Sequence, residues 1–368
     1  MKRFLLTAAL FSIPIVAAFV FPFAFFALTR EFETPSQVLA VQQNSNGAIY
    51  RSAFYDYDRP YKTLGAIESD PQVLVLGTSR VLQLHASLFK DPSDFYNAGR
   101  AISKPSELPV FINALPSNSK VQVIVLAVDQ NFLSSAFSSP AEPIVQPTHL
   151  SIFEFFLAQG WKTAWQYYFQ GRFSLSGLIQ LNKTSQNIGL TALVEGDGFQ
   201  KDGSDEESNI AAQKSQRSSQ IQGALDLITP QGSGYFFDSS LSQQGLSYIE
   251  QFLELCRARN IKVIGFLPPY ATEVYQKIDS LHSSYADTMQ EEPVALKTLF
   301  NQYNDSFYDL SNLSTFGSSD NEMIDSAHLD EQGSARELQY LANHEPALKA
   351  YVSAAAIKGI LSQPGTVQ

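Results

Sequence analysis

Three side chains with the chemistry for acyl transfer stand in two short stretches of the sequence. Ser79 lies in VLVLGTSRVLQLH, and Asp325 and His328 lie three residues apart in NEMIDSAHLDEQGSARELQYL. A carboxylate at that spacing can hold one imidazole nitrogen when the intervening turn permits. A held imidazole can take the proton of a serine hydroxyl and later return it to a leaving group. Each signal also has a plain structural reading. A serine at a strand-to-helix junction can cap the free N–H groups of the first helical turn, and Asp and His also cap turns. By residue type alone, Ser79 reads as a cap or as a nucleophile.

The surrounding elements decide whether such residues can meet. Residues 73–76 are Val-Leu-Val-Leu, the uninterrupted apolar run of a strand buried on both faces. Gly77 permits a tight turn, and residues 80–88 can carry a helix. DFYNAG at 94–99 reads as a second short strand, residues 104–115 as a helix, and VQVIVLAVD at 121–129 as the clearest central strand. The rhythm returns with a helix over 246–256 and a strand over 262–267, which Pro268 and Pro269 end in a stiff loop. A helix near 291–302, a short strand in SFYDLS and a closing helix in EQGSARELQYLANH follow. Strands alternating with helices predict a mostly parallel, doubly wound α/β sheet, with Gly77, Asp129 and the Pro268–Pro269 loop at one edge.

Between about 131 and 235 this rhythm stops. A Ser/Pro-rich excursion, an aromatic helical segment containing Trp161, Trp165, Tyr167 and Tyr168, and the polar loop EGDGFQKDGSDEESN mark a largely helical insertion. Helical spacing favours packing of these aromatics against the main domain over a sugar-binding role. The first residues place Lys2 and Arg3 before an uncharged apolar stretch from Phe4 to Leu28, about 37 Å long as a helix and so long enough for a hydrocarbon core of about 30 Å. That pattern predicts a membrane anchor with a cytoplasmic N-terminus and an extracytoplasmic main domain, in a single-pass protein of the cell membrane. The lipid bilayer is then an expected partner.

At 368 residues, 44% of them hydrophobic, the chain can bury a sizeable core. Its 25 Lys and Arg against 36 Asp and Glu give a formal charge of -11, which argues against nucleic acid as a partner. The single cysteine, Cys256, excludes an intrachain disulfide and reads as a buried small hydrophobe in a helix.

LGTSR after the first strand, YNAG after the second, and DSAHLDEQG before the last helix together resemble the conserved blocks of the SGNH (GDSL-like) hydrolase superfamily. The closer likeness is to its membrane-anchored cell-envelope branch, which includes the D-alanyl lipoteichoic acid transfer protein and alginate O-acetylation proteins. VIGFLPPY is similar to a strand and loop of that branch. The resemblance spans about 70–130 and 245–345. It implies a flavodoxin-like three-layer α/β fold, with Ser79 as nucleophile, His328 as base and Asp325 orienting it. It further implies acyl transfer or ester hydrolysis on an envelope glycan or related polymer, an acyl donor, a membrane-bound acyltransferase partner, and no cofactor or metal.

The blocks depart from the family pattern in places. Thr78 replaces the Asp of Gly-Asp-Ser. Counting from Asn97, the glycine that completes the oxyanion hole falls on Ile102, with Gly99 or its loop as a substitute donor. The side-chain amide donor falls on Asp129, and an ionised carboxylate only accepts; Gln130 and Asn131 are the nearby substitutes. Arg80 and Tyr270 are candidate cleft residues. The expected organisation is a cytoplasmic N-terminus and anchor at 1–30, a juxtamembrane segment at 31–70, an SGNH-like domain at 71–350 with the insertion 131–235, and a tail at 351–368. The alternative to an enzyme is a catalytically inactive glycan-binding or envelope-assembly protein of the same fold.

Overall fold

The structure, a computed structural model, describes residues 1–229, 238, 240–281 and 284–363, and within that range the side chains of residues 2, 5–11, 15, 17, 182 and 284–286 are not described. The end of the expected insertion, 230–235, and the end of the tail, 364–368, lie outside the described residues. The chain divides into two compact units. One comprises 1–57, 146–201 and 206–208; the other comprises 58–145, 202–205 and 209–368.

The second unit is built on a sheet of five parallel strands: β1 (Val73–Gly77), β2 (Phe95–Gly99), β3 (Val123–Ala127), β4 (Lys262–Leu267) and β5 (Ser306–Asp309), in the spatial order β2-β1-β3-β4-β5. β1, β2 and β3 are buried along their whole length; β1 and β3 accordingly read as unbroken apolar runs, while β2 carries Asn97 within it. Alternation assigns the side chains to two cores. Val73, Val75, Phe95, Val123, Val125, Ile264 and Phe266 pack with Val274, Leu338, Leu341 and Ile357 on one face. Leu74, Leu76, Tyr96, Ile124, Leu126 and Val263 pack with Phe111, Phe252, Cys256 and Phe300 on the other. Cys256 is thus a buried thiol in the helix Gln243–Ala258. Because every strand runs the same way, the loops after Gly77, Gly99, Ala127, Leu267 and Asp309 share one edge.

Two expectations change here. The helix expected over 80–88 is replaced by two single turns, Ser79–Val81 and Ala86–Leu88. The carbonyls of Val81 and Leu84 receive the Asn97 side-chain amide at 2.7 and 2.9 Å, and do not receive backbone N–H groups four residues on. The second change concerns the N-terminus. A helix runs over Lys2–Leu28, yet among the described residues no helix is long and apolar enough to cross a membrane. The aromatic residues at its end are spent in a protein core. Phe25 and Phe26 are buried with Phe156, Ala164, Phe173, Leu178 and Leu190, Phe21 lies 4.2 Å from the Trp165 ring, and Trp165 Nε1 donates to the Ala18 carbonyl at 2.9 Å.

The flavodoxin-like fold with a transmembrane helix therefore does not hold as described; what is present is a mixed α/β fold with a five-stranded parallel sheet. The single-pass topology, the cell-membrane localisation and the lipid bilayer as a partner are not borne out. Trp161 packs on Phe19 at 4.7 Å, and the Tyr167 hydroxyl donates to the Ala53 carbonyl at 3.0 Å. These insertion aromatics thus pack against the N-terminal part of the chain.

Candidate functional site

β1 delivers Ser79 to the carboxyl edge of the sheet. Thr78 caps the turn that Ser79 opens by accepting the Arg80 N–H, and the Ser79 carbonyl accepts the Leu82 N–H at 3.3 Å, which leaves the serine's N–H and hydroxyl available. Ser79 Oγ lies 2.9 Å from His328 Nε2. On the other side of the ring, His328 Nδ1 lies 2.8 and 3.0 Å from the two Asp325 oxygens. A carboxylate only accepts, so Nδ1 carries the ring proton toward Asp325 and Nε2 is the acceptor for the serine hydroxyl. Asp325 also accepts the backbone N–H groups of Ala327 and His328, at 2.8 and 2.9 Å. Burial pushes its pKa up, but the His328 hydrogen bond and charge and these two amides outweigh that and hold it at about 2. The structure thus brings Ser79, His328 and Asp325 into one hydrogen-bonded chain.

The neighbouring candidates divide into braces and free groups. Arg80 donates to the Gln130 side chain at 2.6 Å, to the Ala327 carbonyl at 3.1 Å and to the Pro269 carbonyl, and it lies over the Tyr270 ring at 4.7 Å. One guanidinium ties together the loops after β1, β3 and β4 and the His328 loop, with buried Tyr270 beneath it. Gln130 is spent in the same way, donating to the Pro268 carbonyl at 2.7 Å and to Ser311 Oγ at 3.2 Å. Asn97 is fully buried; its oxygen accepts the Gly99 N–H at 2.8 Å while its amide holds the loop after Ser79. Gly99 is needed because a Cβ there would come within 2.9 Å of Asn97, Leu82 and Val81 at once. Asn97, Gly99 and Gln130 therefore position the site and offer it no free donor. The Ile102 side chain is in the core. The backbone N–H groups of Ile102 and Ser79 have no hydrogen-bond partner among the described residues.

Asp129 is buried with two unlike oxygens. Oδ2 accepts the Thr78 hydroxyl at 2.7 Å, and Oδ1 has no partner. Burial pushes its pKa up, against the opposing effects of Arg80, the Thr78 hydroxyl and His328. The Asn131 side-chain oxygen is likewise buried without a partner. Thr78, noted in the sequence only as a departure from Gly-Asp-Ser, is here the partner of Asp129. Two further residues around this site escape a reading by motif. Glu337 and Glu292 are acids buried in helices Glu331–His344 and Ser284–Gln302, each with an unpartnered oxygen. Burial pushes Glu337 up to about 8, partly offset by Arg80; burial, Asp309 and Asp129 push Glu292 up as well. The one available signal for Glu337 is its place on the face shared with Leu338 and Leu341. Among the described residues no cluster of three or more His, Cys, Asp or Glu side chains has the arrangement to hold a metal ion.

No protein-family model matches the chain, and no curated protein matches it either. The resemblance to the SGNH superfamily and its cell-envelope branch is therefore not supported. Its short blocks each have a local structural cause: Gly77 lies against Ala127, with 3.0 Å left for a Cβ; Asn97 ties down a loop; and Asp330 caps the helix Glu331–His344 by accepting the Gly333 N–H at 2.8 Å. The envelope glycan and the membrane-bound acyltransferase were expected partners through that resemblance alone and fall with it.

Proposed function

We propose that the protein is a serine-dependent acyl-transfer or ester-hydrolysing enzyme. The observation that carries this reading is the chain Ser79 Oγ–His328 Nε2, His328 Nδ1–Asp325, at 2.9 and 2.8 Å. In the step it supports, Ser79 Oγ bonds to the acyl carbon as its proton passes to His328 Nε2, and the carbonyl electron pair moves onto oxygen. Collapse returns that pair, breaks the bond to the leaving alcohol, and gives the alcohol the proton from His328. Water or a second hydroxyl then releases the acyl group from Ser79. The Ser79 N–H supplies one donor for the developing oxyanion.

A second reading, an inactive ligand-binding protein, is favoured by one observation: Gln130 and Gly99 are spent as donors and Asp129 when ionised offers none. Fluorophosphonate labelling followed by peptide mass analysis separates the two. The expected result is phosphonylation of Ser79 in the parent, none in Ser79→Ala, and a rate lowered about 10²–10⁴-fold in His328→Ala. A folded parent that is not labelled, or is labelled at a different serine, overturns the enzyme reading.

A further inference from the structure

We infer that Thr78 is a second oxyanion donor whose hydroxyl hydrogen is released by a neutral Asp129, so that this pair gates the site. The inference rests on the acyl-transfer reading above. A threonine hydroxyl has one hydrogen and two lone pairs. With Asp129 ionised, that hydrogen is committed, because the carboxylate 2.7 Å away only accepts, while the Arg80 N–H approaches Thr78 Oγ1 at 3.5 Å. With Asp129 neutral, the shared hydrogen bond reverses. Asp129 donates to Thr78 Oγ1, and the threonine hydrogen is free to turn toward the oxygen that becomes negative at the adjacent Ser79.

Asp129 is suited to stay neutral. Its Oδ1 is buried with no partner, an arrangement costly for a charged carboxylate and tolerable for a protonated one. The groups that face it are Arg80 from the turn after β1, His328 from the loop before the helix Glu331–His344, and Glu292 from the helix Ser284–Gln302. Arg80, which favours the charged form, is itself committed to Gln130 and to the carbonyls of Ala327 and Pro269, and faces buried Glu337. Glu292 is itself pushed up by burial, Asp309 and Asp129. Thr78 is only half-buried, so its hydroxyl can reach a bound ester, whereas the enclosed Asp129 Oδ1 cannot. Asp129 is therefore a positioning residue acting through Thr78.

The test is the pH dependence of kcat for 4-nitrophenyl acetate in the parent, Thr78→Val, Thr78→Ser and Asp129→Asn, with circular dichroism confirming the fold of each and fluorophosphonate labelling of Ser79 run alongside. Parent activity is expected to fall as pH rises through the pKa of Asp129. Asp129→Asn, permanently neutral, loses that alkaline limb. Thr78→Val falls about 100-fold at low pH and has no limb, and Thr78→Ser restores both. A parent profile without an alkaline limb, a limb that survives in Asp129→Asn, or a Thr78→Val rate equal to the parent's overturns the gate. If Thr78→Val does not fold, the Asp129→Asn and Thr78→Ser profiles still decide. Absence of Ser79 labelling in the folded parent would sink the acyl-transfer reading and the gate together, whereas normal labelling with the wrong profiles sinks the gate alone.

Discussion

At the scale of single residues, the site depends on how few groups are left uncommitted. Ser79 and the N–H groups of Ser79 and Ile102 are free of structural duty, while Arg80, Asn97 and Gln130 are bound into the frame. Asp325 does both jobs, ordering its own turn through two backbone amides and orienting the imidazole. Its pKa of about 2 lies below the ordinary 3.8, so its ionised form stabilises the fold. That contribution is fully present above about pH 4 and is lost as pH falls through 2. Asp325→Asn is expected to lower stability by about 2 kcal/mol at pH 7. Denaturant titrations at several pH values check this, with the gap between parent and variant closing toward pH 2; a gap independent of pH would show that the carboxylate's charge is not what the fold uses.

At the scale of elements, the helix Glu331–His344 carries a conflict between packing and charge. Its inner face presents Leu338 and Leu341 to the sheet together with Glu337, which is 2% exposed. Because burial raises Glu337 to about 8 from the ordinary 4.5, the folded state holds a proton that the unfolded chain gives up. Stability is then greatest below about pH 4.5 and is lost as pH rises through 8. Glu337→Gln removes that dependence. Between pH 5 and pH 9 its stability relative to the parent should improve by an amount on the order of 3–5 kcal/mol. Parallel stability-versus-pH curves for parent and variant would mean that Glu337 stays ionised in the fold.

At the scale of the whole molecule, the unit comprising 1–57, 146–201 and 206–208 has its own titrating centre. Glu31 is buried and accepts Ser52 Oγ at 2.6 Å, the Leu190 N–H at 2.7 Å and the Ala53 N–H at 3.4 Å. Burial outweighs these bonds and raises its pKa to about 7. The same sign applies: the unit is most stable below about pH 4.5 and loses that stability as pH rises through 7. Hydrogen exchange followed by mass spectrometry, corrected for intrinsic rates, should show protection of peptides covering 48–57 and 186–195 falling between pH 5 and pH 8 in the parent. The decline should be absent in Glu31→Gln. Equal protection at both pH values in the parent would overturn it.

The sequence by itself determined the sheet. β1, β3 and β4 lie on apolar runs, as a parallel strand buried on both faces favours, whereas β2 carries Asn97 and β5 is the mixed, partly exposed segment SFYD. It also placed Ser79, Asp129 and Tyr270 at one edge, since the order of strands and helices fixes which loops share an end. Tertiary structure alone decided where the end of the apolar N-terminal stretch packs, because Phe25 and Phe26 read the same in sequence whether they face lipid or Phe156 and Phe173. It also decided that residues 80–88 form turns and no helix, through an Asn97 amide arriving from another strand. The side-chain hydrogen-bond partners of Arg80, Gln130 and Asp129 lie 50 or more residues away along the chain. Which polar groups remain free for chemistry is set by those long-range hydrogen bonds, and local patterns carry no record of them.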